Sequence, residues 1–297
     1  MKKEISIEEF IQKLDVKIPD VEEFLQLCRI MPINPKLDDN FRINFERGML
    51  LYALIAKFQP KSVLEIGTAE GYSTLCMAWA MSDYKINGKI FTIDPKPHNQ
   101  VIERKIRIKK NDKPLKMFLS TKDLWEKFAL PEWIEKIEVV TGYSREVLRT
   151  KYFPKIEFCY IDGSHVYEDV KRDFFGILKL VSEKFRILFD DYVPNRDDGV
   201  TKIIDEEILN IFETIFIKTN TKKQRIELKK KSTDELIMCF IDSDSLKKPL
   251  WKIYNEKYVD NFVNKYGFTE KRIKIRKKLE KKIPFLKNIK FQWWKNK

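Results

Sequence analysis

Asp162, Asp190 and Asp191 each follow an apolar run, Ile156–Ile161 for the first and Arg186–Phe189 for the other two, and His165 stands three residues after Asp162. Short apolar runs of this kind read as buried strands. The three carboxylates therefore cluster at the carboxyl ends of adjacent strands, where open α/β sheets bind ligands. Carboxylates so close repel one another unless a cation joins them. An all-oxygen set made by Asp162, Asp190 and Asp191 favours Mg2+, Mn2+ or Ca2+ over zinc and leaves coordination positions open to a hydroxyl. A hydroxyl on such an ion loses its proton more readily. If two of the carboxylates only cap helices, the site works without metal. His165 is one of two histidines in the chain, and its ordinary pKa near neutrality suits a general base. The alternative is a capping Asp-Gly-Ser-His turn in which His165 serves structure alone.

A second constellation lies upstream. The segment Val63-Leu64-Glu65-Ile66-Gly67-Thr68-Ala69-Glu70-Gly71-Tyr72-Ser73-Thr74 reads as a buried strand, a glycine turn and a helix beginning near Gly71. Gly67 permits backbone that a side chain would forbid, and the free N–H groups at a helix start favour a carboxylate. The G-x-x-x-G spacing differs from the dinucleotide and Walker phosphate fingerprints and argues against both. The next strand ends at Asp94, 23 residues after Gly71. A carboxylate there can accept hydrogen bonds from ribose hydroxyls.

These groups need a scaffold. From Ser62 onward short apolar runs alternate with amphipathic segments, the pattern of βαβ units around a mostly parallel sheet. Strands are expected near Ser62–Ile66, Ile90–Asp94, Ile137–Thr141, Ile156–Ile161, Arg186–Asp190, Glu213–Lys218 and Glu235–Ile241. The last two are separated by a polar, basic stretch from Thr219 to Ser232 and are expected to pair antiparallel at one edge. The fold class is thus α/β, doubly wound and seven-stranded. Residues 1–58 read as a helical cap, with apolar residues at helical spacing over Ile7–Leu14 and Val21–Ile30; residues 59–245 form the α/β domain and residues 246–297 a C-terminal extension.

Composition is consistent with a folded chain, since 43% of its 297 residues are hydrophobic. Cys28, Cys76, Cys159 and Cys239 are scattered with no C-x-x-C pair, which argues against both a zinc site and disulfides. The apolar stretch Gly48–Lys57 is too short to cross a bilayer, and a cytoplasmic protein is expected. The last 52 residues hold 17 Lys and Arg against 4 Asp and Glu, a surplus equal to the whole-chain excess of 58 over 45. The rest of the chain is formally neutral. In the extension, Trp251, Tyr254, Tyr258, Phe262 and Tyr266 recur at helical spacing up to Gly267, followed by a basic run from Lys271 to Lys282 and the ending FLKNIKFQWWKNK. Such a tail fits a solvated helix, an anionic membrane surface met peripherally, or nucleic acid.

The run LEIG-x-x-x-GYST, the preceding RGMLLYALIAKFQPKSV and the two aspartate-ended strands together resemble the class I S-adenosylmethionine-dependent methyltransferases, over roughly Phe45 to Ile241. Within them the chain is similar to the metal-dependent catechol-type and macrocin O-methyltransferase-like group. The resemblance implies that S-adenosylmethionine is the cofactor, that Glu65, Gly67, Gly71, Tyr72 and Ser73 surround its methionine part, and that Asp94 binds its ribose. It also implies that Gly142 and Ser144 lie beside the cofactor, with Tyr143 where the family often has an acidic partner of the adenine. The family's D-x-x-[His/Lys] position carries the base, which here is His165. The activity implied is O-methylation of a sugar-containing or polyhydroxylated small molecule or glycan, assisted by Asp162, Asp190, Asp191 and a divalent cation such as Mg2+. Two other classes remain: an RNA methyltransferase using the basic tail, and a non-catalytic scaffold with this fold. No N/D-P-P-Y/F motif of amino-nitrogen methyltransferases is present.

Overall fold

The computed structural model describes residues 3–31, 45–108, 113, 115–196, 198–220 and 235–247. The chain divides into two compact units, Met1–Pro249 and Leu250–Lys297. The second unit, with the aromatic stripe and basic run of the tail, lies outside the described residues, as does most of the polar stretch between Thr219 and Ser232.

The first unit opens with strand β1 (Lys3–Ser6), then helices α1 (Ile7–Leu14), α2 (Val21–Ile30) and α3 (Phe45–Phe58). Ser6 starts α1 by accepting from the Glu9 N–H, and a reciprocal capping box of Asp20 and Glu23 starts α2. The α/β part continues with β2 (Ser62–Ile66), α4 (Tyr72–Asp83), β3 (Lys89–Asp94), a hairpin β4 (Ile102–Ile106) and β5 (Leu115–Leu119), then α5 (Thr121–Phe128) and α6 (Pro131–Ile134). It closes with β6 (Ile137–Thr141), α7 (Ser144–Thr150), β7 (Ile156–Ile161), α8 (Tyr167–Leu178), β8 (Val181–Tyr192), α9 (Gly199–Ile203), β9 (Phe212–Lys218) and β10 (Ile237–Leu246). A single π turn, Ile204–Ile208, continues α9.

The main sheet runs β1-β9-β10-β8-β7-β2-β3-β6. Its centre is parallel, β10 is antiparallel to both β8 and β9, and β1 lies parallel beside β9. From β2 the chain winds outward to β3 and β6, then returns to build β7 and β8 on the other side of β2. That reversal leaves a crevice outside the carboxyl ends of β2 and β7, the place where such sheets bind ligands.

Alternation along the strands separates two apolar layers. Val63, Phe158, Tyr160, Leu188, Met238 and Phe240 face the layer of α1 to α4, where Trp79 of α4 packs between Phe24 and Trp133 at centroid distances of 5.0 Å. On the opposite face Phe174 of α8 meets Phe189 of β8. The central β2 is buried along its whole length, as a strand covered on both faces must be.

Two features depart from the sequence expectation. The main sheet has eight strands rather than seven, because Lys3–Ser6, read as part of a helical cap, forms an edge strand; β9 and β10 do pair antiparallel, but β1 takes the edge. Four residues with only Ile5 buried carry too little alternation to register. The β4–β5 hairpin was also unforeseen, since basic residues interrupt its apolar ones. All four cysteines are buried and free, and no described helix is long and apolar enough to cross a membrane.

Candidate active site

The turn after β2 is built by close approach. Gly67 has φ +98°, and a Cβ there would fall 2.0 Å from the carbonyl oxygen of Asp162; Gly71 has φ +88°, and its Cβ would fall 2.1 Å from the Trp125 ring. Both facts demand glycine. Glu65 lies beneath the turn with no exposed surface. The hydroxyls of Ser73, Thr74 and Thr92 donate to it at 2.5, 2.5 and 2.6 Å, tying β2 to β3 and to the first turn of α4. Burial, only partly opposed by these donors, pushes the Glu65 carboxyl up to about 7. Asp94, at the end of β3, accepts from the N–H groups of Thr68 at 3.1 Å and Ala69 at 2.9 Å on Oδ2, and from Lys96 at 2.8 Å on Oδ1. A carboxylate has about four acceptor sites, so Asp94 holds the turn and keeps capacity for a ligand hydroxyl.

Across the crevice, β8 carries one residue more than β10 between the pairs Tyr192–Ile237 and Phe189–Cys239. Asp191 has φ +58°, a conformation unusual for a non-glycine residue. This bulge breaks the alternation that would send Asp190 and Asp191 to opposite faces. Both consequently reach Arg47 of α3, with Nε 2.8 Å from Asp190 Oδ2 and Nη2 2.5 Å from Asp191 Oδ1. Asp190 is 1% exposed; its Oδ2 also accepts from the Tyr160 hydroxyl at 2.6 Å and its Oδ1 from the Asp191 N–H at 2.7 Å. Burial raises the Asp190 carboxyl to about 6 against the pull of Arg47. Burial and then the charge of Asp190 raise Asp162 well above the usual carboxylate range. Burial works against the Arg47 charge, yet Asp190 and Asp191 more than offset it.

His165 is exposed at the rim, its Nε2 3.6 Å from Asp191 Oδ2. Its loop is held by the Gly199 N–H, which donates to the His165 carbonyl at 3.0 Å. A Cβ on Gly199 would fall 2.4 Å from the Tyr167 nitrogen and 2.6 Å from that carbonyl, so the contact admits no side chain.

These groups share one cavity of about 740 Å³, walled by residues 67–73 on one side and by Arg47, Tyr160, Asp162, His165, Asp191, Arg196 and Asp198 on the other. A second pocket of about 450 Å³ contains Asp94, Tyr143, Ser144, Arg145 and Ile93, and meets the first at Gly67, Ala69, Asp162 and Gly163. The sequence of residues 64–192, which spans the turn and both aspartate-ended strands, matches the family described as "Methyltransferase domain". The sheet has the class I methyltransferase fold, and residues 64–192 match a methyltransferase domain. Its fold is shared by the O-methyltransferase TomG of Streptomyces achromogenes, with TM-score 0.50 and 18% identity over 79% of this chain and 95% of that one. An O-methyltransferase from Bacillus cereus compares at 0.48 and 19%, covering 79% and 99%, and one from Klebsiella pneumoniae described as putative at 0.47 and 16%, covering 79% and 94%. No curated protein matches the sequence.

Within this crevice the expected residues fall into three groups. Gly67, Gly71, Tyr72 and Ser73 line the larger cavity, and Asp94 and Ser144 the smaller. Tyr72 is 4% exposed, however, and its hydroxyl donates to the Phe45 carbonyl at 2.8 Å, while Ser73 is engaged by Glu65. Glu65 and Gly142 line neither cavity: the first is sealed beneath the turn, and the second lets the chain turn after β6 close against Val147. Asp162, His165 and Asp191 bring ligand atoms within 4.8 Å of one another. Asp190 does not join them. In place of the expected all-oxygen set of Asp162, Asp190 and Asp191, the ligand atoms that converge are those of Asp162, His165 and Asp191, while Arg47 joins Asp190 to Asp191.

Sequence reasoning missed Arg47, Tyr160 and Glu70. Glu70 pairs with Arg104 of β4 and with Lys96 at 2.9 Å, while its carbonyl accepts from Trp125 Nε1 at 3.0 Å. The turn is thereby fastened to the hairpin and to α5. A basic residue one position before Gly48, heading an apolar helix, was the available signal for Arg47.

Proposed function

We propose that the protein transfers the methyl group of S-adenosylmethionine to a hydroxyl of a sugar-containing or otherwise polyhydroxylated acceptor. The observation that carries this reading is the joining of the two cavities at Gly67 and Asp162, which gives an elongated nucleoside-sized pocket leading to a charged chamber. The smaller pocket, with Asp94, suits the ribose and adenine, and the turn from Gly67 to Ser73 suits the amino acid end. TomG, which shares the fold, is in complex with S-adenosylmethionine.

The chamber favours a polar acceptor over a flat aromatic one. Arg47, Asp162, His165, Asp191, Arg196 and Asp198 line it, and its aromatic members, Tyr72 and Tyr160, are 4% and 1% exposed, offering little ring surface for stacking. A carboxylate facing His165 Nε2 favours a proton on that nitrogen and leaves the Nδ1 lone pair as base for the acceptor hydroxyl. In-line displacement at the methyl carbon then gives the ether and S-adenosylhomocysteine, and alignment in the chamber supplies most of the acceleration.

Calorimetric titration of S-adenosylhomocysteine into the wild type and Asp94→Ala tests the cofactor half of this reading. Micromolar binding that Asp94→Ala weakens by about tenfold or more, the loss of about 1.4 kcal/mol in ribose hydrogen bonds, is expected. A folded wild type that takes up no S-adenosylhomocysteine sinks it.

A further inference from the structure

The pairing of Arg47 with two consecutive carboxylates bears on what balances charge beside the acceptor. Its side chain is 10% exposed and comes from α3, whereas both acids come from the bulge of β8. A guanidinium presents planar, fixed donors and no acceptor, and here Nε and Nη2 each meet a different carboxylate. That is the same service a divalent ion performs when it joins neighbouring acids. Tyr160 completes the arrangement by donating to the oxygen that Nε faces. What remains open toward the chamber is Asp162, His165 and Asp191, two carboxylates and one imidazole, with Asp191 shared with Arg47. An ion seated there would take its third protein ligand from the residue read above as the base.

We propose that Arg47 is the resident cation of this site: it occupies the role of a divalent ion for Asp190 and Asp191, and methyl transfer in this protein proceeds without metal. The last part rests on the methyl-transfer reading; the first part does not. Arg47 is a positioning residue. It holds Asp191 Oδ1, and through Asp191 Oδ2 it orients His165. Removing the guanidinium leaves Asp190 and Asp191 without their shared counter-charge beside Asp162, an oxygen-rich neighbourhood of the kind that hard divalent ions select. The substitution is therefore expected to create a metal site rather than merely to damage a structure.

Electron paramagnetic resonance of free Mn2+ reads this directly. Millimolar Mn2+ mixed with the wild-type full chain is expected to keep its aqueous signal, whereas Arg47→Met is expected to take up about one ion per chain, at least about tenfold more tightly. Arg47→Gln, of shorter side chain and better solubility, provides the same comparison if Arg47→Met does not fold, and its melting temperature should rise with Mn2+ while that of the wild type does not. Uptake of one Mn2+ by the wild type, lost in Asp162→Asn, overturns the proposal. So does a folded pair of Arg47 variants that bind no Mn2+, since the acids would then form no cation site once freed. S-adenosylhomocysteine titrated into the same wild-type samples keeps the two readings apart: its failure to bind removes the enzyme reading and leaves the Mn2+ result standing.

Discussion

Replacing Arg104 with methionine tests whether the hairpin is a structural part of the cofactor turn. Arg104 is 1% exposed, and its Nε donates to the Leu119 carbonyl at 2.8 Å, its Nη2 to Thr121 Oγ1 at 2.9 Å and its Nη1 to Glu70. Methionine keeps most of the packing and removes all three. Breaking a buried ion pair from one side costs about 3–5 kcal/mol because the partner charge stays buried. Glu70 keeps Lys96, which is partly exposed, so the lower end, about 3 kcal/mol, applies. For a domain of this size that corresponds to a fall in melting temperature of about 6–12 °C. Thermal unfolding of the wild type, Arg104→Met, Glu70→Gln and the double variant measures it. In the Glu70→Gln background the Arg104 substitution should cost less by at least about 1 kcal/mol, since no buried charge is left stranded. Affinity for S-adenosylhomocysteine should fall with it, because Glu70 lies in the turn itself. A melting temperature within about 1 °C of the wild type, or strictly additive variants, would refute the argument.

Two further outcomes are expected from the geometry around that turn. Glutamate titrates near about 4.3 in an unfolded chain, and Glu65 at about 7 in the fold, so the native state binds the extra proton and stability falls as pH rises across that window, by a total on the order of 3–4 kcal/mol. Glu65→Gln should flatten the decline in denaturant midpoint between about pH 5 and about pH 8; parallel curves for the two proteins would show that Glu65 does not titrate there. Gly199→Ala should push the His165 loop away from Asp191 and lower kcat by about 100-fold, the scale of a 1 Å misplacement, while leaving the dissociation constant of S-adenosylhomocysteine within about twofold. Equal loss of cofactor affinity would mean that Gly199 supports the whole crevice rather than His165.

Much of the scaffold was legible because periodicity and burial coincide in it. The spans Ile7–Leu14, Val21–Ile30, Ile137–Thr141 and Ile156–Ile161 stand in the structure with the bounds expected from apolar spacing. In the two helices, capping and buried face point the same way. The hairpin escaped because its inward face pairs Arg104 with Met117: an arginine that packs inward looks, in sequence, like a polar interruption. At the site, Gly67, Gly71 and Asp94 were legible because turns and strand ends have local signatures. The separate fates of Asp190 and Asp191 were not. They depend on one extra residue in β8, and a bulge has no marker in Arg186–Tyr192 beyond the residues themselves.

The same contrast divides what this chain shares with its fold family from what is its own. Carboxylates at strand ends and a glycine turn at the topological switch point are properties of the sheet, set by residues adjacent in sequence to the strands that present them. The groups that balance their charge come from elsewhere: Arg47 reaches Asp191 across 144 residues of chain, and Asn220 meets Glu46, the neighbour of Arg47, across 174. Helix α3 announces only its apolar face, so nothing local marks the position that will meet the bulge of β8. The residue that joins the two acids of β8 thus lies outside the glycine turn and the aspartate-ended strands, and in this chain it is Arg47.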